Sequence, residues 1–139
     1  MRTLEPFPWL TWALLVDAAT CAAIAAVHLL GGNAPADALA LPHNLWRGVG
    51  VFLVPWSALL LWLARSPRLA AEWVLGVIVG NGLWALAALG LLASDALAAN
   101  AWGRAYLALH GVGVLLLAIV EWLAWRHSSA VAAGRAARA

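Results

Sequence analysis

Four long apolar runs, at about 9–30, 45–64, 69–93 and 103–125, alternate with short breaks rich in Gly, Pro and charge. Each run is near the roughly 20 residues that an α-helix needs to cross the hydrocarbon core of a bilayer. In that medium every backbone polar group must be satisfied within the segment, so the runs are helices rather than strands. The pattern predicts an all-α fold, a polytopic membrane protein built as one four-transmembrane-helix bundle over 1–125, with a basic tail over 126–139. The first run is too long for a signal-peptide core and is read as a retained span.

The breaks set the boundaries. Pro6 and Pro8 suit the entry to a first helix. Gly31-Gly32-Asn33-Ala34-Pro35 ends span one, and the connection to Asn44, with Pro35, Asp37 and Pro42, is irregular or only briefly helical. Pro55 places a kink near the middle of span two. Arg65-Ser66-Pro67-Arg68 is a tight basic turn, with span three expected from about Leu69. Residues 94–102 form the last turn, and Arg126 to Ala139 is expected to fray.

Composition agrees with this picture. The chain is 65% hydrophobic and only 10% charged, with a mean hydropathy of +0.90, which excludes an ordinary soluble domain. Its net charge of +2 comes from eight Arg and no Lys, placed at the ends of the apolar runs, so no nucleic-acid partner is implied. Arg2, Arg65, Arg68, Arg126, Arg135 and Arg138 fall on one side of the four spans, and Arg47 and Arg104 on the other. The positive-inside rule then puts both termini in the cytoplasm and the protein in a cell inner membrane. Most tryptophans mark the interfaces: Trp9, Trp12, Trp62, Trp73, Trp122 and Trp125 on the terminal side, Trp46 and Trp102 on the other. Only Trp56 and Trp84 lie deep. Cys21 is the single cysteine, so there is no intrachain disulfide, and it reads as a small buried residue.

An internal repeat is one explanation of two further coincidences; the chain's bias toward Ala, Leu, Val and Gly is the other. A spacing of 64 superposes Trp9 on Trp73 and Asp17 on Asn81, and a spacing of 63 superposes Arg47-Gly48-Val49-Gly50-Val51 on His110-Gly111-Val112-Gly113-Val114. Two pseudo-repeated hairpins would bring Asp17 to Asn81 and Arg47 to His110. Gly76-x-x-x-Gly80 reads first as a close-packing helix face.

The chemistry lies in the polar groups inside the spans. Asp17 and Asn81 each fall about 12 Å from a tryptophan that marks the interface, and Glu121 about 6 Å in. A charged side chain at the bilayer centre costs about 2.5–3.5 kcal/mol on the insertion scale, so such acids need a role. Asp17 is the expected ligand or proton site, Asn81 its hydrogen-bond partner, Trp84 and Trp56 an apolar wall, and Glu121 a gate or relay. His28 follows Asp17 by eleven residues and His110 precedes Glu121 by eleven, which puts each His on its acid's helix face, about 16 Å away. With Arg47 they form an expected polar cluster on the outer side. The blander readings are an Asp17 bonded to Asn81 or Thr20 to hold helices together, a Glu121 that snorkels or meets Arg126, and packing histidines.

Asp17, Leu45-Trp46-Arg47 with Pro55, Gly80-Asn81-Gly82-Leu83-Trp84 and Glu121 together give the whole chain a likeness. It resembles a group of small, uncharacterised four-span bacterial inner-membrane proteins with a Gly-Asn-x-Leu-Trp motif in the third span. The resemblance implies fold and location and brings no activity; His110 stands where the group's pattern has a glutamine. The small multidrug transporters differ, since their embedded span-one acid is a glutamate in another context.

The leading function is the binding or transport of a small apolar or cationic ligand, proton-coupled through Asp17, by a homodimer where a pathway is needed. The alternatives are an accessory subunit of a larger membrane complex and a b-type cytochrome or quinone-linked electron carrier, with His28 and His110 as haem ligands. No cofactor is expected in the leading reading, and no metal site. No nucleophile-base pair or phosphate-binding loop points to an enzyme. The haem reading predicts a redox-sensitive Soret band in the purified protein that disappears in His28→Ala and His110→Ala; a colourless preparation eliminates it.

Overall fold

The computed structural model describes residues 3–4 and 8–136, with side chains over 8–129. Arg2, Pro6 and Arg138 lie outside the described residues, as does the side chain of Arg135. The chain is all-α, with helices α1 (Pro8–Leu30), α2 (Ala34–Leu39), α3 (His43–Arg65), α4 (Ala71–Ser94) and α5 (Ala101–Ala136). Four of them, α1, α3, α4 and α5, are long and apolar enough to cross a membrane. The order of spans is thus the one that hydropathy predicts, and contact with a lipid bilayer follows from it.

The ends of the helices have local causes. Pro8 opens α1, where its missing N–H is not needed. Gly32 adopts φ +64° after α1, a left-handed turn that glycine makes without steric cost. Asn100 starts α5: its carboxamide oxygen accepts the Gly103 N–H at 2.9 Å, and its carboxamide nitrogen donates to the Ala38 carbonyl at 2.8 Å, tying the last turn to α2. Arg104 and Asp95 pair across the same turn.

Two boundaries differ from the sequence reading. Leu69 and Ala70 do not begin span three; they form a short strand, β2, antiparallel to β1 (Thr3–Leu4), with Thr3 opposite Ala70 and Leu4 opposite Leu69. Backbone pairing between two distant segments leaves no local hydrophobic signature. At the other end α5 continues well beyond Trp125, to Ala136, because the tail's alanines carry high helix propensity and nothing breaks the helix. α3 runs through Pro55 as one helix.

The spans pack as two hairpins, α1 on α3 and α4 on α5. The hairpins meet through α1 and α5, while α3 and α4 stay farther apart and are bridged by side chains. The main core gathers Leu10, Leu14, Leu53, Leu60, Leu63, Val74 and Val77, and a second, smaller one holds Ala36, Leu41, Trp46 and Leu107 at the α2 end.

The burial pattern refines the repeat. At a spacing of 64, buried Leu10, Ala13, Asp17 and Cys21 of α1 fall on buried Val74, Val77, Asn81 and Ala85 of α4. In α3 and α5 the matching spacing is 61, not 63: buried Trp46, Gly50, Leu60 and Leu63 fall on buried Leu107, Gly111, Glu121 and Ala124. Arg47 is therefore not the counterpart of His110, and it is exposed. By sequence 63 matches both glycines of the Gly-x-Gly pair and 61 only one, Gly50 on Gly111, so it is packing alone that selects 61.

Glycine roles follow the same register. A Cβ on Gly50 would stand 2.7 Å from His28 Cβ, and one on Gly111 would stand 2.8 Å from the Leu89 side chain, so these two glycines seat the hairpins. Gly48 and Gly113 have no such neighbour, and neither has Gly76. Gly76 and Gly80 are not a helix-packing pair: a Cβ on Gly80 would meet the Trp56 indole at 2.6 Å, which makes Gly80 the seat of that ring. In unfolding titrations in mild detergent, Gly50→Ala is expected to destabilise the fold by about 1–3 kcal/mol through overpacking. Gly48→Ala should be neutral or stabilise by up to about 1 kcal/mol, because alanine is the better helix former and nothing crowds it.

Candidate functional site

The intramembrane polar residues converge on Asn81. α4 places this amide inward, 3% exposed, and its nitrogen donates to Asp17 Oδ2 on α1 at 2.7 Å and to Glu121 Oε2 on α5 at 3.1 Å. Both acids are buried, Asp17 at 1% and Glu121 at 0% exposed. Cys21, one turn beyond Asp17, donates its thiol to Asp17 Oδ1 at 3.3 Å. The other Glu121 oxygen, Oε1, and the indole N–H of Trp125 are buried without a hydrogen-bond partner among the described residues.

Glu121 thus sits at the same level as Asp17 and shares its donor, rather than standing nearer the surface as a separate gate. It neither snorkels nor meets Arg126, whose guanidinium lies 4.8 Å over the Trp122 ring. Thr20 is not a partner of Asp17; its hydroxyl donates back to the Val16 carbonyl at 2.8 Å. Sequence distance from the nearest tryptophan misjudged the depth of Glu121 because α5 continues past Trp125, which therefore marks no helix end.

Beside the acid pair is a chamber of about 80 Å³, lined by Asp17 and Asn81 together with Ile24, Leu53, Trp56 and Trp84. Trp56 closes over Gly80, and Phe52 stacks on Trp84 with ring centroids 5.1 Å apart and planes 9° apart. The two deep tryptophans named from sequence are walls of this chamber.

Toward the α2 end the histidines form a second layer. His28 Nδ1 lies 2.8 Å from the Trp46 carbonyl oxygen, which only accepts, so Nδ1 carries the proton; Nε2 of the neutral ring then accepts the Tyr106 hydroxyl, also at 2.8 Å. Trp46 stacks on His28 at 3.6 Å between centroids. It is 4% exposed and belongs to this core rather than to the interfacial belt. Trp9, Trp12, Trp62, Trp73, Trp102 and Trp122 are exposed as an interfacial or lipid-facing ring would be.

His110 accepts the Trp84 indole N–H at Nε2, 2.8 Å away, and stacks on Tyr106 at 5.7 Å. Trp84 and His110 line both the inner chamber and a larger cavity of about 200 Å³ beyond it, so this bonded pair is the partition between them. Arg47 makes no hydrogen bond or ion pair among the described residues and is not part of the layer. Both ring nitrogens of His28 are engaged, so an iron ligand there would have to displace the Trp46 carbonyl or the Tyr106 hydroxyl. No cluster of three or more His, Cys, Asp or Glu residues suited to a metal ion occurs among the described residues.

Sequence reasoning singled out each acid, the amide and the histidines. Tyr106 falls on the His110 face of span four by its spacing, but its bond to His28 and the place of Trp46 as a core ring were missed, because contacts across helices have no periodicity along the chain. Family models, curated proteins and solved structures offer no match to this chain. What stands is a small membrane protein with four candidate spans.

Removing the shared donor leaves two buried acids without it. Asn81→Leu is expected to lower stability in mild detergent by about 1–3 kcal/mol, the cost of unsatisfied buried polar groups, as read by thermal unfolding. An unchanged midpoint would show that Asn81 does not hold the centre together.

Proposed function

We propose that this protein binds a small, largely apolar cation at the Asp17–Asn81–Glu121 centre and releases a proton as it does so. One observation carries the reading: two fully buried carboxyl groups from different hairpins share a single amide donor beside a chamber with aromatic walls. Two like charges so close in an apolar medium do not persist together, so a proton or a ligand cation balances the pair. Asp17 is the carboxyl that lines the chamber and would meet the cation, while Glu121, held by the same amide, adjusts the charge of the pair from behind. Trp56, Trp84 and Phe52 would face the apolar part of the ligand, and aromatic faces attract cations. Asn81 serves either state, because an amide donates equally well to an acid and to its anion.

Movement of the ligand across the membrane, by a homodimer with both termini cytoplasmic in a bacterial inner membrane, extends the same reading. The likeness to small four-span inner-membrane proteins and the side-to-side bias of the arginines support that placement. The second reading, an accessory subunit of a larger complex, treats the Asp17–Asn81 bond as helix glue.

Tetramethylammonium, a small apolar cation, tests the proposal. Calorimetric titration of the detergent-solubilised protein in two buffers of different ionisation enthalpy counts the protons released. The expected result is about one proton per cation bound, and loss of both binding and release in Asp17→Asn, which keeps the hydrogen bond to Asn81 but cannot ionise. Binding that survives unchanged in Asp17→Asn overturns the proposal. No binding by the native protein, with Asp17→Asn altering only the unfolding midpoint, returns the site to the structural reading.

A further inference from the structure

The larger cavity at the α2 end is a second site with its own chemistry. Its walls are mostly apolar, with Leu41, Leu45, Leu91 and Leu107 among them, and its polar lining comes from His28, Trp46, Tyr106 and His110. The acceptors of these groups are largely spent within the protein. His28 Nε2 takes the Tyr106 hydroxyl, the Trp46 carbonyl takes His28 Nδ1–H, and His110 Nε2 takes the Trp84 N–H.

Two donors remain. Because Trp84 can only donate, His110 Nε2 is an acceptor and the ring proton sits on Nδ1. No hydrogen bond engages that Nδ1–H among the described residues. The Trp46 indole N–H is buried with no acceptor among the described residues, an arrangement that native interiors rarely leave unmet. A cavity of apolar walls and unmatched N–H groups complements an apolar molecule with acceptor oxygens and no need to donate. The stacked rings of Trp46, His28, Tyr106 and His110 add flat faces that favour a planar ring.

We propose that this cavity binds a planar, apolar ligand bearing ring carbonyl groups, of the quinone class, through the N–H groups of Trp46 and His110. The site is independent of the acid pair: it requires neither Asp17 nor Glu121. Trp84 and His110, the partition shared with the inner chamber, would place such a ligand directly above it.

Duroquinone is a suitable probe because its ring is fully methylated and adds no thiol, and durene is its carbonyl-free counterpart. Equilibrium dialysis against lipid nanodiscs with and without the protein separates site binding from partition into lipid. The expected result is a saturable excess of duroquinone of one per chain and no saturable excess of durene. Trp46→Phe keeps an aromatic ring beside His28 and removes the N–H together with the five-membered part of the indole; it should weaken duroquinone binding about tenfold or more, the effect of at least one lost hydrogen bond. His110→Leu should weaken it similarly, and Trp102→Phe, at an exposed tryptophan, should not change it. Durene binding as tightly as duroquinone would overturn the proposal, as would a duroquinone excess that does not saturate or that survives both cavity variants. Tetramethylammonium titrations on the same preparation report separately on the acid pair, so failure at one site is distinguishable from failure at the other.

Discussion

A single carboxamide holds three of the four spans at one point. Asn81 reaches from α4 to Asp17 on α1 and Glu121 on α5, and so joins the two hairpins, whose long helices pack on one another chiefly along α1 and α5. Within a bilayer the apolar surfaces of helices gain little from facing one another rather than lipid, because the tails are as apolar as leucine. Association then depends on close packing and on polar contacts. Close packing operates inside each hairpin, at Gly50 against His28 and at Gly111 against Leu89. Polar contacts operate at both levels: His28 on the Trp46 carbonyl and Trp84 on His110 within hairpins, Asn81 on Asp17 and Tyr106 on His28 between them.

The separation of α3 from α4 leaves room. Because α3 and α4 are spanned by rings rather than by direct helix contact, the bundle retains two chambers in line, one beside the acids and one beside the histidines. The Trp84–His110 hydrogen bond separates them. Trp56 can lie across α4 only because residue 80 is glycine, so the same small residue that looks like a helix-packing position determines the inner chamber's shape. The polar content of the chambers differs in sense: acids at one level, unmatched N–H donors at the other. This difference gives each chamber its own set of polar groups.

The two hairpins carry unlike side chains at matching burial positions, and the site is asymmetric for that reason. Asp17 and Asn81 occupy matching positions of α1 and α4, so an acid meets an amide across the centre rather than a second acid. Glu121 matches Leu60 in the burial pattern of α3, which places the second carboxyl on one side only. Likewise His110 matches half-buried Val49. Two similar hairpins with unlike side chains at matching positions produce a bundle with one polar flank, and both chambers reach it.

The apolar runs alone determined four spans, their order and nearly all their boundaries, since the length of an apolar helix is a property of the local chain and the bilayer sets the length it must reach. They also singled out Asp17, Asn81, Glu121 and the histidines, because any polar group within such a run is conspicuous. What the sequence did not contain was the distance between these groups. The depth of Glu121 was misread because α5 extends past its last tryptophan, and Trp46 was read as an interfacial ring because stacking on His28 leaves no trace in its own segment. Gly48 and Gly50 look alike along the chain, and only the packing of α3 on α1 decides which one is crowded. Hydropathy is read one helix at a time, whereas hydrogen bonds, stacked rings and chambers belong to pairs of helices, so they were fixed by the tertiary structure alone.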